Sequence, residues 1–200
     1  IVTYTGTGAA GTIAHGLGVA PKMIFVRNRD VADPWAVYYG DATDYLVLNE
    51  NAATVDNAAW WNDTAPSSTV FTVNTDHSVN ADGEAYVAYC FAEKQGYSKF
   101  GKYVGNGNAN GAFVYTGFKP AWLMIKDIGA AGNWFITDHK RNPFNLTDDW
   151  LVANGSGAET NYVNASSVDY LSNGFKLRTT YSEANTSGRT YVYFAFAENP

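Results

Sequence analysis

Short apolar stretches alternate with turn residues along the whole chain. In the first half, stretches rich in Val, Ile, Tyr, Phe and Thr predict strands over residues 2–5, 11–15, 22–27, 35–39, 45–48, 69–73 and 85–92. Segments such as "GLGVAP" and "NADGE" separate them. Only a weak Ala/Asn stretch near 51–60 offers a helix. About seven short strands with regular turns predict an all-β fold, a β-sandwich of jelly-roll-like type.

The strand pattern is written twice. At a spacing of 99 residues, "TYTGTG" (3–8) corresponds to "KYVGNG" (102–107). After a six-residue insertion, "NADGEAYVAYCFAE" (80–93) corresponds to "NTSGRTYVYFAFAE" (185–198) at a spacing of 105. We infer a duplication, because matched Gly, Pro and aromatic positions in register rarely arise by chance. The two copies extend over residues 1–95 and 96–200. Two tandem sandwiches are the first choice, and one fused sandwich with exchanged strands is the alternative.

The repeated phrase "EAYVAYCF" (84–91) is apolar on both alternating faces. This predicts a central strand that is covered on both sides. It contains Cys90, the only cysteine, so an intrachain disulfide and a cysteine-based metal site are excluded. The second copy has Ala195 at the corresponding position. Cys90 is therefore interpreted as a small buried apolar residue and not as a nucleophile.

Composition and charge narrow the function further. Charged residues make up only 16% of the chain, and the formal net charge is −6. This balance argues against a nucleic-acid partner and against an anionic membrane surface, because both require a basic patch. The apolar runs are also too short to cross a bilayer.

The sequence offers little catalytic chemistry. His15 corresponds to Val114, His77 corresponds to Ser182, and His139 lies beside the insertion. No "GxSxG" elbow is present. We therefore predict a protein that is not an enzyme and has no metal or cofactor. The segment "DHSVNADGE" (76–84) has four oxygen donors, but a hairpin turn explains it better than a calcium loop.

Aromatic residues are the remaining candidates for binding. Trp60, Trp61 and Asn62 fall in a loop-like stretch with no counterpart in the second copy. An exposed Trp pair beside an amide could bind a sugar ring. The alternative, which we favour, is that the two Trp residues serve packing.

Glycosylation is a second hypothesis. Asn-x-Ser/Thr sequons occur at Asn62, Asn145, Asn154, Asn164 and Asn185. Two of these Asn residues have counterparts in the first copy, Asn49 and Asn80, that form no sequon. The shared Asn positions therefore also fit a role in turn geometry.

Several sequence segments of the chain are distinctive. They are "GLGVAPKMIFVRNR", "AYVAYCFAEKQGYSKFGKYVGNG", "FVYTGFKPAWLMIK", "LSNGFKLR" and "YVYFAFAENP". The chain resembles an uncharacterised domain family found in phage tail-fibre and other structural proteins. The resemblance implies an extracellular or virion-surface module, and it carries no functional residue with it.

The leading prediction is a non-enzymatic structural module of a fibre or tail appendage that assembles head to tail. Its partners would be copies of itself or adjacent repeats, joined by strand addition. The candidate assembly strand is Ile1, Val2, Thr3 and Tyr4. The alternative is a carbohydrate- or receptor-binding module, with a cell-surface glycan as partner. A glycan hydrolase is the third reading. Such an enzyme usually needs two carboxylates that flank the bond, and the sequence does not show which of its 19 acidic residues would form that pair.

Overall fold

The computed structural model describes residues 1–161 and 167–199. It divides the chain into two compact units, Ile1–Ala92 and Glu93–Pro200. The sequence prediction places the boundary after residue 95. Each unit is all-β, with antiparallel strands and very short helical turns.

The first unit contains every strand that its sequence pattern predicts, within a residue at each end. Its strands are β1 (Val2–Thr5), β2 (Gly11–Ala14), β3 (Met23–Asn28), β4 (Ala36–Tyr38), β5 (Asp44–Val47), β6 (Val55–Asp56), β7 (Val70–Val73) and β8 (Ala85–Phe91). Its helical turns are α1 (Ala58–Trp61) and α2 (His77–Asn80). The two-residue strand β6 and α2 were not predicted, and α1 begins within the weak helical stretch near 51–60.

The second unit follows the same plan. Its strands are β9 (Ser98–Val104), β10 (Phe113–Tyr115), β11 (Trp122–Asp127), β12 (Phe135–Asp138), β13 (Asp149–Val152), β14 (Thr160–Asn161), β15 (Val168–Leu171), β16 (Gly174–Leu177) and β17 (Thr190–Phe196). Its helical turn is α3 (Ser182–Asn185).

The large sheets of the two units have the same strand order. The large sheet of the first unit runs β1-β8-β3-β4-β5-β6, and that of the second runs β9-β17-β11-β12-β13-β14. A smaller sheet faces each of them, β2-β7 in the first unit and β10-β16-β15 in the second. Each of these sheets takes its strands from a single unit. The described strands thus form two separate sandwiches, and the strand-exchanged alternative is not observed among them.

One apolar cluster lies between the two sheets of each unit. In the first unit it joins Ile24 and Tyr86 of the large sheet to Phe71 of the small sheet. In the second unit it joins Ile125 and Tyr193 to Phe175 in the same way. These clusters make each unit a β-sandwich, because both sheets bury one face in a shared core.

The repeated phrase forms the central strands β8 and β17. β8 lies between β1 and β3, and β17 lies between β9 and β11. On β17, residues 191 to 195 are buried on both faces, as predicted. On β8 only Tyr86 and Ala88 are buried, and the other residues are half-buried. The prediction of two covered faces is therefore confirmed for β17 and wrong for β8.

The segment 76–84 was predicted as a hairpin turn and instead begins with the helical turn α2. The Asp76 side chain caps this turn by accepting a hydrogen bond from the Ser78 backbone N–H at 2.8 Å. The prediction holds at its end, where Gly83 has a φ of 77°. Among the described residues, no helix is long and apolar enough to span a membrane.

Candidate functional site

Each unit contains the same set of internal polar contacts, and these contacts support its own fold. Tyr86 donates a hydrogen bond to the His77 carbonyl at 2.5 Å, and its hydroxyl accepts one from the Ala81 N–H at 2.8 Å. Tyr191 repeats this with the Ser182 carbonyl at 2.7 Å and the Thr186 N–H at 2.9 Å. Both hydroxyls therefore hold a helical turn against the central strand. Burial raises the pKa of Tyr86 to about 12.

A buried asparagine does the same for the neighbouring loops. The Asn80 amide donates to the Ala9 and Asn74 carbonyls, each at 2.7 Å. Its counterpart Asn185 donates to the Asn108 carbonyl at 2.8 Å and to the Thr179 carbonyl at 2.7 Å. Each side chain is about 1% exposed or less. A fully bonded buried amide is a structural feature, since its groups have no capacity left for a ligand.

One shared position changes its chemistry between the units. At the end of β3, the Asn28 side chain bonds to Glu84. At the end of β11, the corresponding pair is Asp127 and Arg189, with Oδ2 and Nη1 3.1 Å apart. Asn28 and Asp127 each accept two backbone N–H bonds from the following turn. The pairing is thus kept while its charges are changed.

The structure places Trp60 and Trp61 in the core. They are 4% and 2% exposed, and the Trp60 ring stacks on Tyr45 at 3.6 Å between centroids. Asn57 caps the helical turn α1 that holds them. The exposed sugar-binding platform that we considered at Trp60, Trp61 and Asn62 is therefore not formed, because both rings face inward. Of the three residues, only Asn62 is exposed.

The sequons are used in different ways. Asn185 is fully buried with a bonded amide, so the folded chain offers no acceptor nitrogen there. The Asn154 side-chain oxygen accepts a hydrogen bond from the Trp134 N–H, and its nitrogen donates one to Asn133 Oδ1. The Asn145 amide bonds both backbone groups of Tyr170. Asn62 is exposed at the end of α1, and Asn164 lies outside the described residues. Glycosylation itself stays a prediction, and Asn62 and Asn145 are the exposed Asn residues among the described sequons.

The candidate assembly strand is already used inside its own unit. Val2, Thr3 and Tyr4 belong to β1, which pairs with β8 from Val2↔Ala88 to Thr5↔Ala85. The Tyr4 ring stacks on Tyr86 at 5.1 Å, and its hydroxyl donates to the Val79 carbonyl. Donation of Ile1–Tyr4 to another subunit would remove these contacts. A role as a docking edge remains a prediction, because β1 lies at the edge of its sheet.

The residues with catalytic potential lie apart. His15 contacts the Ser67 carbonyl, His77 pairs with Asp33 at 3.0 Å, and His139 lies 3.3 Å from Glu198. The Asp33 hydrogen bond raises the pKa of His77. Burial raises the pKa of the half-buried Cys90 thiol to about 11. Within residues 1–161 and 167–199, no group of three His, Cys, Asp or Glu side chains could hold a metal ion.

The exposed face of β10 is the feature that stands out. Val114 points into the core, so Phe113 and Tyr115 point outward, where they are 46% and 65% exposed. Gly174 lies opposite Tyr115 on β16, and Lys176 lies opposite Phe113. A Cβ at Gly174 would lie 2.1 Å from the Val114 carbonyl oxygen and 3.1 Å from the Phe113 ring. The missing side chain thus lets the β10 backbone and this ring approach β16 closely. We call Phe113, Tyr115 and their neighbours Asp169 and Lys176 the aromatic face.

A polar cleft adjoins the aromatic face. It has a volume of about 480 Å³ and lies between the start of β9 and the end of β10. Tyr115, Thr116 and Gly117 form one wall, and Glu93, Lys99 and the hairpin at 94–96 form the other. This size is typical of a small-molecule or saccharide site.

Hydrogen bonds fix the wall opposite Tyr115. The Lys94 N–H bonds the Ser98 carbonyl at 3.3 Å, and Ser98 returns a bond of 2.9 Å, which closes the hairpin. Lys99 Nζ lies 3.0 Å from Glu93 Oε2. The other Glu93 oxygen accepts the Phe100 N–H at 3.3 Å. Charged side chains and an exposed aromatic ring thus line the same cleft, a combination that can bind a sugar.

Sequence reasoning missed this site. Phe113 and Tyr115 correspond to Ala14 and Gly16 at the spacing of 99, so the aromatic pair is specific to the second copy. Residues shared by both copies were interpreted as structural. The same logic makes residues found in one copy only candidates for function, and it would have identified Phe113 and Tyr115. An aromatic pair at alternate positions of an edge strand was the available signal.

The fold and surface define an all-β protein of two similar sandwich units, with one exposed aromatic face in the second. The chain belongs to the family described as "Domain of unknown function (DUF7483)", whose model matches residues 1–200. No curated protein and no solved structure matches the chain.

Proposed function

We propose that this chain is a non-enzymatic adhesive module of an extracellular or virion-surface structural protein. In this proposal the duplicated β framework gives rigidity, and the aromatic face and cleft of the second unit bind carbohydrate. The observation that carries the proposal is the exposure of Phe113 and Tyr115 side by side, next to a polar cleft.

The distribution of chemistry between the copies supports this division of roles. The shared groups, such as Tyr86 and Tyr191, are buried and bond to backbone atoms. The aromatic pair of β10 is exposed and belongs to one copy. Apolar rings that are held at the surface bury no core area, so their presence favours a contact with a partner.

Binding to a panel of polysaccharides, measured by affinity electrophoresis and calorimetry, tests the proposal. Tyr115→Ala should weaken binding by about tenfold or more, because stacking on the ring is lost. Tyr115→Phe should keep most of it. Leu151→Ala is the matched control, since Leu151 is 37% exposed on the large sheet of the same unit. Equal binding by wild type and Tyr115→Ala would contradict the proposal. Release of reducing sugar would favour the hydrolase reading instead.

The second candidate is a structural module that assembles by strand addition without a glycan. Its support is that β1 and β9 each lie at the edge of a large sheet, where unpaired backbone groups can accept another strand. Electron microscopy of the purified chain at increasing concentration would test it. Ordered filaments without glycan binding would favour this candidate over the adhesive one.

A further inference from the structure

We propose that the cleft and the aromatic face select anionic glycans, those whose sugars bear carboxylate or sulfate groups. The inference rests on the proposed carbohydrate binding and adds the class of ligand. It is based on the charges around the site and on how the fold holds them.

The site is locally positive in an acidic chain. Among the described residues, Lys94 and Lys99 line the cleft with Glu93. On the small sheet, Lys176 lies beside Asp169 in register, and Arg178 Nε lies 3.5 Å from Asp169 Oδ2. The cleft and the aromatic face thus contain three cations, Lys94, Lys99 and Lys176, and two carboxylates, Glu93 and Asp169, whereas the whole chain has a net charge of −6. An anionic ligand is therefore drawn to this surface and away from the rest of the chain.

Lys94 is the residue best placed to interact with a negatively charged group of the ligand. It is exposed on the hairpin that Ser98 closes from both sides. Gly96, with a φ of 78°, makes the tight turn possible. The Lys94 backbone is thus fixed, and Lys94 and Tyr115 line the same cleft. An ammonium group offers three donors and no acceptor, so it prefers carboxylate or sulfate oxygens to sugar hydroxyls.

The aromatic wall and the cationic wall have separate tasks. Tyr115 supplies an apolar ring for the face of a sugar, which depends little on charge. Lys94 and Lys99 supply the charge preference. Lys99 is held 3.0 Å from Glu93, so its charge is partly offset before a ligand arrives. We therefore assign the larger share of the preference to Lys94.

Matched pairs of glycans test the inference. Galacturonan oligosaccharides are compared with their methyl esters, and dextran sulfate is compared with dextran, by calorimetry at low and physiological salt. Wild type should bind each charged member more tightly than its neutral partner. Lys94→Gln should weaken binding of the charged members by roughly two- to fivefold and leave the neutral ones unchanged. Lys140→Gln is the control, since Lys140 is an exposed lysine that does not line the cleft.

The outcomes separate the two proposals. Equal binding of charged and neutral glycans, lost in both cases with Tyr115→Ala, would overturn the anionic preference and keep carbohydrate binding. Binding of charged glycans that ignores Tyr115→Ala and disappears with salt would be simple ion exchange, and it would overturn both. A preference for only the carboxylate or only the sulfate pair would support the inference and identify the source of the charge.

Discussion

Substitution of Asn185 by Asp tests the internal support of the second unit. The two hydrogens of the Asn185 amide nitrogen are shared among three acceptors within hydrogen-bond distance, Asn106 Oδ1 at 3.0 Å and the carbonyl oxygens of Asn108 at 2.8 Å and Thr179 at 2.7 Å. Aspartate has the same shape, but it places an oxygen where the nitrogen was. The donated bonds are lost, and an oxygen then faces oxygens.

The magnitude follows from the geometry. Each hydrogen bond contributes about 1 kcal/mol, and repulsion between the buried oxygens adds to the loss. We expect Asn185→Asp to lower the free energy of unfolding by about 3 kcal/mol at neutral pH. Asn62→Asp is the control, because Asn62 is exposed, and its effect should stay within about 0.5 kcal/mol.

Urea unfolding followed by circular dichroism measures the effect, and hydrogen exchange locates it in the second unit. Burial should raise the folded-state pKa of the new carboxyl above its unfolded value. The folded state then binds more protons, so the loss of stability should shrink as pH falls through that raised pKa. A change below about 1 kcal/mol, or one that is independent of pH, would refute the reasoning.

Three further predictions concern packing and titration. Gly105→Ala should lower the free energy of unfolding, measured by thermal melts, by at least about 2 kcal/mol, because its Cβ would lie 2.3 Å from the Thr186 carbonyl oxygen. Gly157→Ala, with open space around the new methyl group, should be nearly neutral in the same assay. Cys90, whose pKa burial raises to about 11, should react with a disulfide reagent at pH 8 far more slowly in the folded chain than in urea, and equal rates would contradict the burial. Burial lowers the pKa of Lys126 from 10.5 to about 8, so the folded state binds fewer protons than the unfolded state between these pH values. The free energy of unfolding of wild type relative to Lys126→Met should therefore rise over that pH range, and a difference that does not change with pH would contradict the shift.

The strands could be predicted because their sequence pattern matches their burial. β3 and β8 combine β-favouring residues with glycine and asparagine turns, and both lie where the pattern puts them. The turn α2 could not be read in this way. Its residues 77–80 are held by Asp76 and by Tyr86 from another strand, and a four-residue helix has no periodicity of its own.

The candidate sites were harder to predict than the strands. Trp60 and Trp61 lie in a stretch that reads as a loop, yet α1 turns both rings into the core. Tyr115 lies in a stretch that reads as a strand, yet its ring is exposed. Which face of an edge strand is covered depends on the opposing sheet, and a single sequence does not show that sheet.

The altered pair at the ends of β3 and β11 also bears on how two similar units fold in one chain. If β3 paired with β17 instead of β8, Asn28 would meet Arg189 and lose its partner Glu84. The reciprocal error would place the fully buried Asp127 beside the half-buried Glu84, and two carboxylates brought together in this way repel each other. Neighbouring repeats with similar sequences are prone to mispair while they fold. The different charges at these two matched positions therefore disfavour pairing between strands of different copies.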